Sequence, residues 1–498
     1  MTQESDVISK LVPLEPLDLS KCFTVNDIVT GMSKCSFGAR MLGDGTNTIE
    51  EMVREGQKDS SKKPVIISDI PRASPVRDLL KALHRDNDWF DGPFTSERIL
   101  ETHGAIENAI VVGQYNRYDE RELYSKCGRM VFVNGIYQCK PGLVRDGFFP
   151  DVIFANEEFV LPVVIAALKE RLMDKRTNVA DLMRELERYG GLAETVVQSA
   201  HTLRNMLADE DSTNMFTVSG AMTVGKMQLL IADLIDTGRI KYIAATGALM
   251  AHGLIEGSGC KHYKYDPSVP DKVLAEMGLN RVTDSLEPET NFDHIEEIVN
   301  AVLDRYDGSR TRGSNEFYRD IGQYIVDHYP GVKSILASAF HQDIPIATPA
   351  FFDSELGNDV KTANAMRLRD GKLKLVFDSE LDTDVLFNLA TNAKRLGIFS
   401  IGGGVPRNNT QNVAPLHEIY LRRLGLEGKA CCFHYGVRID PAQMFLGHLS
   451  GCTYSEGGSW RKFDFDGPRA EVQADATIVW PFAQRFALEQ TGYYKMAA

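Results

Sequence analysis

The chain has 498 residues, 43% of them hydrophobic and 25% charged, and carries a formal net charge of −14. That is ordinary globular composition with room for two or three domains. The acidic balance argues against a nucleic-acid surface, which normally needs a basic face, and suits a small cationic ligand. No window approaches ~18 uninterrupted apolar residues, so no membrane span is expected. The acidic start, Met1 to Asp6, lacks the basic-then-apolar profile of a signal peptide. Eight scattered cysteines without a Cys-x-x-Cys pair signal neither a zinc ribbon nor a disulfide framework. A soluble cytoplasmic protein with reduced thiols is expected.

Residues 1–60 show two helical patterns, Val25 to Met32 and Asn47 to Gly56, set apart by turns at Cys35 to Gly38 and Gly43 to Gly45. A polar break, Asp59 to Pro64, precedes the strand Val65-Ile66-Ile67. Residues 61–174 read as an inserted or added α+β module of irregular texture, with short strands near Met130 to Val133 and Val152 to Phe154. A helix follows over Glu157 to Met173, and the region contains no chemical motif. There is an internal echo: Val25 through Val53 resembles Val179 through Leu207, each followed by an apolar strand, which reads either as a degenerate duplication or as the chance likeness of two amphipathic helix pairs.

Residues 175–498 form the regular part. Met215 to Val218 is a strand, Ser219 to Gly225 a small-residue loop, and Lys226 to Ile235 a helix. Ile240 to Ala244 repeats the pattern with the turn Ala245 to Ala248. A helix over Val332 to Phe340, strands at Ile344 to Ala347, Ile398 to Ile401 and Val472 to Ala474, and a helix over Ile478 to Leu488 complete it. Strand, small-residue loop and helix in alternation predict an α/β fold: a Rossmann-like, doubly wound, mostly parallel sheet with ligands at the strands' carboxyl ends. Glycine- and hydroxyl-rich strand ends let phosphates approach backbone and helix N-termini, although no Gly-x-Gly-x-x-Gly fingerprint is present.

The octapeptide Ser455 to Lys462 places a carboxylate, two glycines, an indole and a lysine together. A lysine in a water-poor pocket has a lowered pKa and attacks carbonyls or imines, whereas an isolated Trp-x-Lys is usually a surface lysine lying on a ring. Four motifs in order decide between these readings: Pro349 to Gly357, Gly402-Gly403-Gly404, Glu456 to Lys462, and Ala474-Asp475-Ala476. Together they resemble the deoxyhypusine synthase family over about residues 175–490, with residues 20–58 similar to the family's N-terminal helices.

That resemblance implies a Rossmann-like domain in a homotetramer, with sites at subunit interfaces. It implies NAD as cofactor and a polyamine or related amine as donor. The aminobutyl group would pass through an imine on a lysine, matched by Lys462, to a small amine or to a protein lysine. Trp460 and Glu456 would hold the amine. The cofactor positions matched are Gly220, Ala221, Met222 and Thr223; Thr246, Gly247 and Ala248; and Asp353, Gly403, Pro441, Ala442, Asp475 and Ala476. Asp475 reads equally as a helix N-cap.

The departures all fall on the amine side. Ala251 and His252 stand where the family has adjacent acids, Asn358 replaces an aspartate with Asp359 beside it, Asn408 replaces a histidine, and Leu449 replaces an acid. Each lost charge-assisted hydrogen bond costs about 1.5–3 kcal/mol of amine binding. His252 could be a replacement acid or base, though a lone histidine is more often a neutral, hydrogen-bonded residue. Two other readings stay open: a non-catalytic NAD- or amine-binding subunit of an assembly, and a simple NAD-dependent amine dehydrogenase with Lys462 as general base.

Overall fold

The computed structural model describes residues 8–70, 74–113, 125–134 and 151–495. The acidic start of the chain and Cys139 lie outside them. After a short 3-10 turn at Leu19–Lys21, two α-helices follow, the first of them capped. Thr24 and Asp27 form a reciprocal capping box on the helix Val25–Met32. The next helix, Phe37–Lys58, is longer than expected and runs straight through Gly43-Asp44-Gly45. Those glycines are contact residues, not turns. A Cβ on Gly43 would strike the Ser33 backbone, and one on Gly45 would lie 2.9 Å from the Ile153 side chain. Close packing of the two helices and the sheet therefore outweighs glycine's poor helix propensity.

The strands β1 (Val65–Ser68), β2 (Asp91–Phe94), β3 (Ile106–Val112), β4 (Cys127–Asn134) and β5 (Asp151–Phe154) form one sheet in the order β2-β1-β3-β4-β5. Every pair in it is parallel, a regularity that the texture of these residues did not display. The expected helix Glu157–Met173 follows and is buried on all sides from Phe159 to Leu168.

The second sheet has six parallel strands. They are β6 (Ser212–Val218), β7 (Ile240–Ala245), β11 (Ile346–Ala347), β12 (Arg395–Ile401), β13 (Phe433–Ile439) and β14 (Arg469–Val472), in the order β11-β7-β6-β12-β13-β14. A small antiparallel sheet of β8 (Tyr263–Lys264), β9 (Leu279–Val282) and β10 (Ser285–Pro288) is inserted after β7. The doubly wound parallel α/β fold expected from the alternation is present. The closing helix, Ala476–Gln490, is buried from Ala476 to Glu489. A helix apolar all round must be covered all round, and both buried helices lie where the two halves of the chain meet. Phe159 and Phe482 touch there edge-on, with centroids 5.6 Å apart.

Candidate active site

The chain reverses on either side of β6 and β12, and ligands of open parallel sheets bind in the crevice at such a switch point. A cavity of about 800 Å³ lies there, at the carboxyl ends of β6, β7, β11, β12 and β13. Of the residues expected to hold a cofactor, Gly220, Thr246, Gly247, Ala248, Asp353, Gly403, Pro441 and Ala442 line it, as does Asn358 from the amine side. Ala221, Met222 and Thr223 do not line it; Thr223 is buried and donates its hydroxyl to the Leu249 carbonyl at 3.2 Å. Asp475 and Ala476 also stand apart. Asp475 accepts from the Thr477 amide at 2.7 Å, which is the N-cap geometry of the closing helix.

The cavity floor suits a phosphate-bearing ligand. Two helices begin at its wall, Gly247–Gly257 behind the Thr246 cap and Gly404–Gln411 behind Gly403, and helix N-termini present free amides and a positive dipole end. Gly220 and Gly404 have φ of 72° and 66°, and no atom lies within 4 Å of where their Cβ would stand. The floor at these two points is bare backbone.

Two carboxylates that sequence reasoning passed over also line the cavity. Asp440 is buried; its Oδ1 accepts from the Ala442 amide at 2.8 Å and its Oδ2 has no partner. Glu355 likewise has an unpartnered Oε2. Buried acceptors are normally satisfied, so both are poised for a ligand's hydroxyl or ammonium. One turn beyond Glu355, burial and the neighbouring Glu296 and Glu355 push the Asp359 carboxyl up to about 6. Glu355 and Asp440 make an acidic wall, with Asp359 next to it and outside the lining, that retains part of the charge missing at Asn358, Asn408 and Leu449. The signal was available: Glu355 lies inside the Pro349 to Gly357 motif, and Asp440 stands directly before Pro441.

Lys462 sits outside the cavity lining. Thr453 caps the short helix Tyr454–Ser459, and the chain turns through Arg461 at φ 59°. The Lys462 amide then donates to the Gly457 carbonyl at 3.0 Å, and its carbonyl accepts from Phe433 at 2.8 Å. These bonds fix the backbone of Lys462 beside β13. Its Nζ donates to Asn408 Oδ1 at 3.1 Å, on the helix whose first residues line the cavity. Burial, then the Arg407 guanidinium, hold the amine below the usual lysine range, while Cys452 and Glu456 pull the other way. Arg407 is itself buried. The indole is not the cause: Trp460 is 66% exposed, and no ring–cation contact joins it to Lys462 among those described. Glu456 is exposed and accepts from the Cys452 thiol at 3.6 Å.

His252 belongs to a different, buried cluster. His262 Nε2 approaches Glu287 Oε2 at 2.5 Å and His262 Nδ1 approaches Glu256 Oε1 at 2.6 Å. Lys226 pairs with Glu256, and His252 Nδ1 lies 3.1 Å from Glu287 Oε2. Burial alone would discharge these groups. Instead, hydrogen bonds to Glu256 and Glu287 outweigh it and hold His262 above the usual histidine range. In the same way, those from His252 and His262 take Glu287 down to about 2. His252, His262 and Glu287 could together hold a metal ion. Lys226 and His262 face the carboxylates of Glu256 and Glu287 in this cluster, so both acids have partners within the chain.

The deoxyhypusine synthase model matches residues 181–485. The chain belongs to the deoxyhypusine synthase family. It is 29% identical over 324 residues to the "Probable deoxyhypusine synthase 2" of Methanosarcina mazei, covering 65% of this chain and 90% of that protein. The protein of the same description from Archaeoglobus fulgidus is 30% identical over 276 residues, 55% of this chain and 87% of its own. A "Deoxyhypusine synthase-like protein" of Coxiella burnetii is 26% identical over 340 residues, 66% and 93%. The family match holds the whole cavity and Lys462, and residues 1–180 lie outside it.

Proposed function

We propose that this chain is an NAD-dependent aminoalkyl transferase of the deoxyhypusine synthase type, acting on a polyamine or a related amine, with Lys462 as the covalent residue. One observation carries the reading. Within the family-matched region, the Lys462 amine is held below its ordinary pKa and bonded to the helix that opens at the cavity wall. An amine so placed has a larger unprotonated fraction near neutral pH, the form that attacks an imine carbon.

NAD fits the cavity by its bare-backbone floor, its two helix N-termini and the free acceptor of Asp440. Gly220, Thr246, Gly247, Gly403 and Asp440 would hold it, and it would supply the hydride acceptor for the amine. Glu355 and Asp359 would hold the ammonium ends of the donor. Lys462 would take the aminobutyl group as an imine and release it to the acceptor amine, a small amine or a protein lysine. Asn408 would orient the lysine, and burial together with Arg407 would lower its hold on a proton. Phe445, Trp460 and Phe465 are exposed; we place a second copy of the chain over them, as the family's homotetramer implies. A reducing, cytoplasmic setting accords with the described cysteines, none of which is paired.

Borohydride trapping with NAD and candidate amines, followed by mass spectrometry, is expected to place the adduct on Lys462. Absence of any adduct with NAD bound would remove this reading. A second reading is a non-catalytic NAD- or amine-binding subunit, favoured by the position of Lys462 off the cavity lining. It expects Lys462→Ala to leave every binding activity intact.

A further inference from the structure

The two sheets have the same wiring. With β1, β2, β3, β4 and β5 set against β6, β7, β12, β13 and β14, the order β2-β1-β3-β4-β5 becomes β7-β6-β12-β13-β14, which is the order of the second sheet without its short edge strand. Five parallel strands can be ordered in many ways, so identity of order together with identity of direction is informative.

The flanking helices agree residue by residue. Val25–Met32 and Val179–Leu186 each span eight residues, and in each the third residue, Asp27 or Asp181, donates its amide to the cap, Thr24 or Asn178. The next helices begin at Phe37 and Gly191, each five positions after the preceding helix ends. The closing helices Glu157–Met173 and Ala476–Gln490 each follow an Asn or Asp cap and carry a proline at the sixth position, Pro162 and Pro481.

Packing across the junction is reciprocal. Phe37–Lys58 packs on Ala476–Gln490, and Gly191–Ala208 packs on Glu157–Met173. Gly38 approaches Thr477 at the start of one closing helix, and Gly191 approaches Glu158 at the start of the other. Reciprocity of this kind is the property of a two-fold interface between like units.

We infer that the chain is two copies of one unit: residues 24–173 are a degenerate copy that fills, within the same chain, the two-fold face of the lysine-bearing unit, residues 178–495. The first copy is reduced. Only the helix Ser96–Thr102 stands between β2 and β3, where the second unit places residues 246–394 between β7 and β12. The sequence between β4 and β5 contains no Glu-Gly-Gly-Ser-Trp-Arg-Lys run, which the second unit carries between β13 and β14. The first copy is thus a built-in partner and not a second site for the same lysine chemistry. The inference rests on topology and packing and does not depend on the proposed chemistry.

Hydrogen exchange on the unaltered chain tests it against denaturant. One common midpoint is expected for the helices 37–58, 157–173, 191–208 and 476–490, because a subunit-like junction opens as one. Loss of protection in 37–58 and 157–173 at lower denaturant, with 191–208 and 476–490 still protected, would overturn it. A protease site inserted in the exposed stretch 174–176 of the full chain gives a second readout. The cleaved halves are expected to elute together, and the second half, freed in denaturant and returned to buffer, to pair with itself. Halves that part without denaturant, or a folded monomeric second half, would overturn the inference.

Discussion

At the scale of single residues, the site divides into a lysine and an acidic wall, and each can be tested separately. Lys462→Arg keeps a cation but cannot form an imine, so the trapped adduct is expected to vanish while NAD binding, read by calorimetry, is unchanged. Asp359 is the more informative acid because burial, with Glu296 and Glu355, raises it to about 6. Above that pH it is an anion able to hold an ammonium; below it the charge is lost. Amine affinity should therefore fall as pH drops through about 6 in the native chain, and Asp359→Asn should remove that dependence and weaken binding about 10- to 100-fold at pH 7.5. Stability should move the other way. A carboxyl whose folded pKa is raised destabilises the fold once pH exceeds its unfolded value near 3.8. Asp359→Asn is thus expected to gain about 1 kcal/mol at neutral pH, after allowing for partial exposure, measured by denaturant unfolding.

At the scale of elements, the buried cluster ties the helix Gly247–Gly257 to the inserted antiparallel sheet through Glu256, His262 and Glu287. His262 is raised, so its contribution is complete below its unfolded pKa near 6.5 and fades as pH rises through the higher folded value. Glu287 is depressed, so its contribution is complete above about 4.5 and fades as pH falls towards about 2. The cluster therefore stabilises most between these limits. Glu287→Gln is expected to cost about 3–5 kcal/mol near pH 6, since it leaves a buried cation unpaired. His262→Gln should flatten the alkaline side of the melting-temperature profile. The helix Phe37–Lys58 offers a packing test. Gly43→Val drives a side chain into the Ser33 backbone and should lower stability by about 1–3 kcal/mol or more, an effect that a turn glycine with open space around it would not show.

At the scale of the whole molecule, the second unit's two-fold face is already covered by the first unit, which leaves the exposed Phe445, Trp460 and Phe465 as apolar surface for another chain. If each chain supplies two units, the four-unit assembly that the family resemblance implies is reached by two chains. Native mass spectrometry is expected to find twice 55.5 kDa, and Phe445→Asp to shift the population to single chains. A four-chain species would mean that the first unit does not count as a subunit in the assembly.

Local patterning and motif order were enough to read the parallel sheet of residues 175–498, the closing helix and the lysine motif, because period, small-residue loops and caps are properties of neighbouring residues. The echo between residues 25–53 and 179–207 was also visible, as paired helices each followed by an apolar strand, but without the strand order. What decided the rest was distance in space. Gly43 and Gly45 look like turn residues until Ser33 and Ile153 are brought against them. Lys462 owes its lowered pKa to burial and to Arg407, fifty-five positions earlier in the chain, and not to the indole two residues away. Glu355 and Asp440 gain meaning only as buried oxygens left without partners. Strand order, which relates the two halves, is set by pairings between segments far apart in the chain, and no local signal carries it.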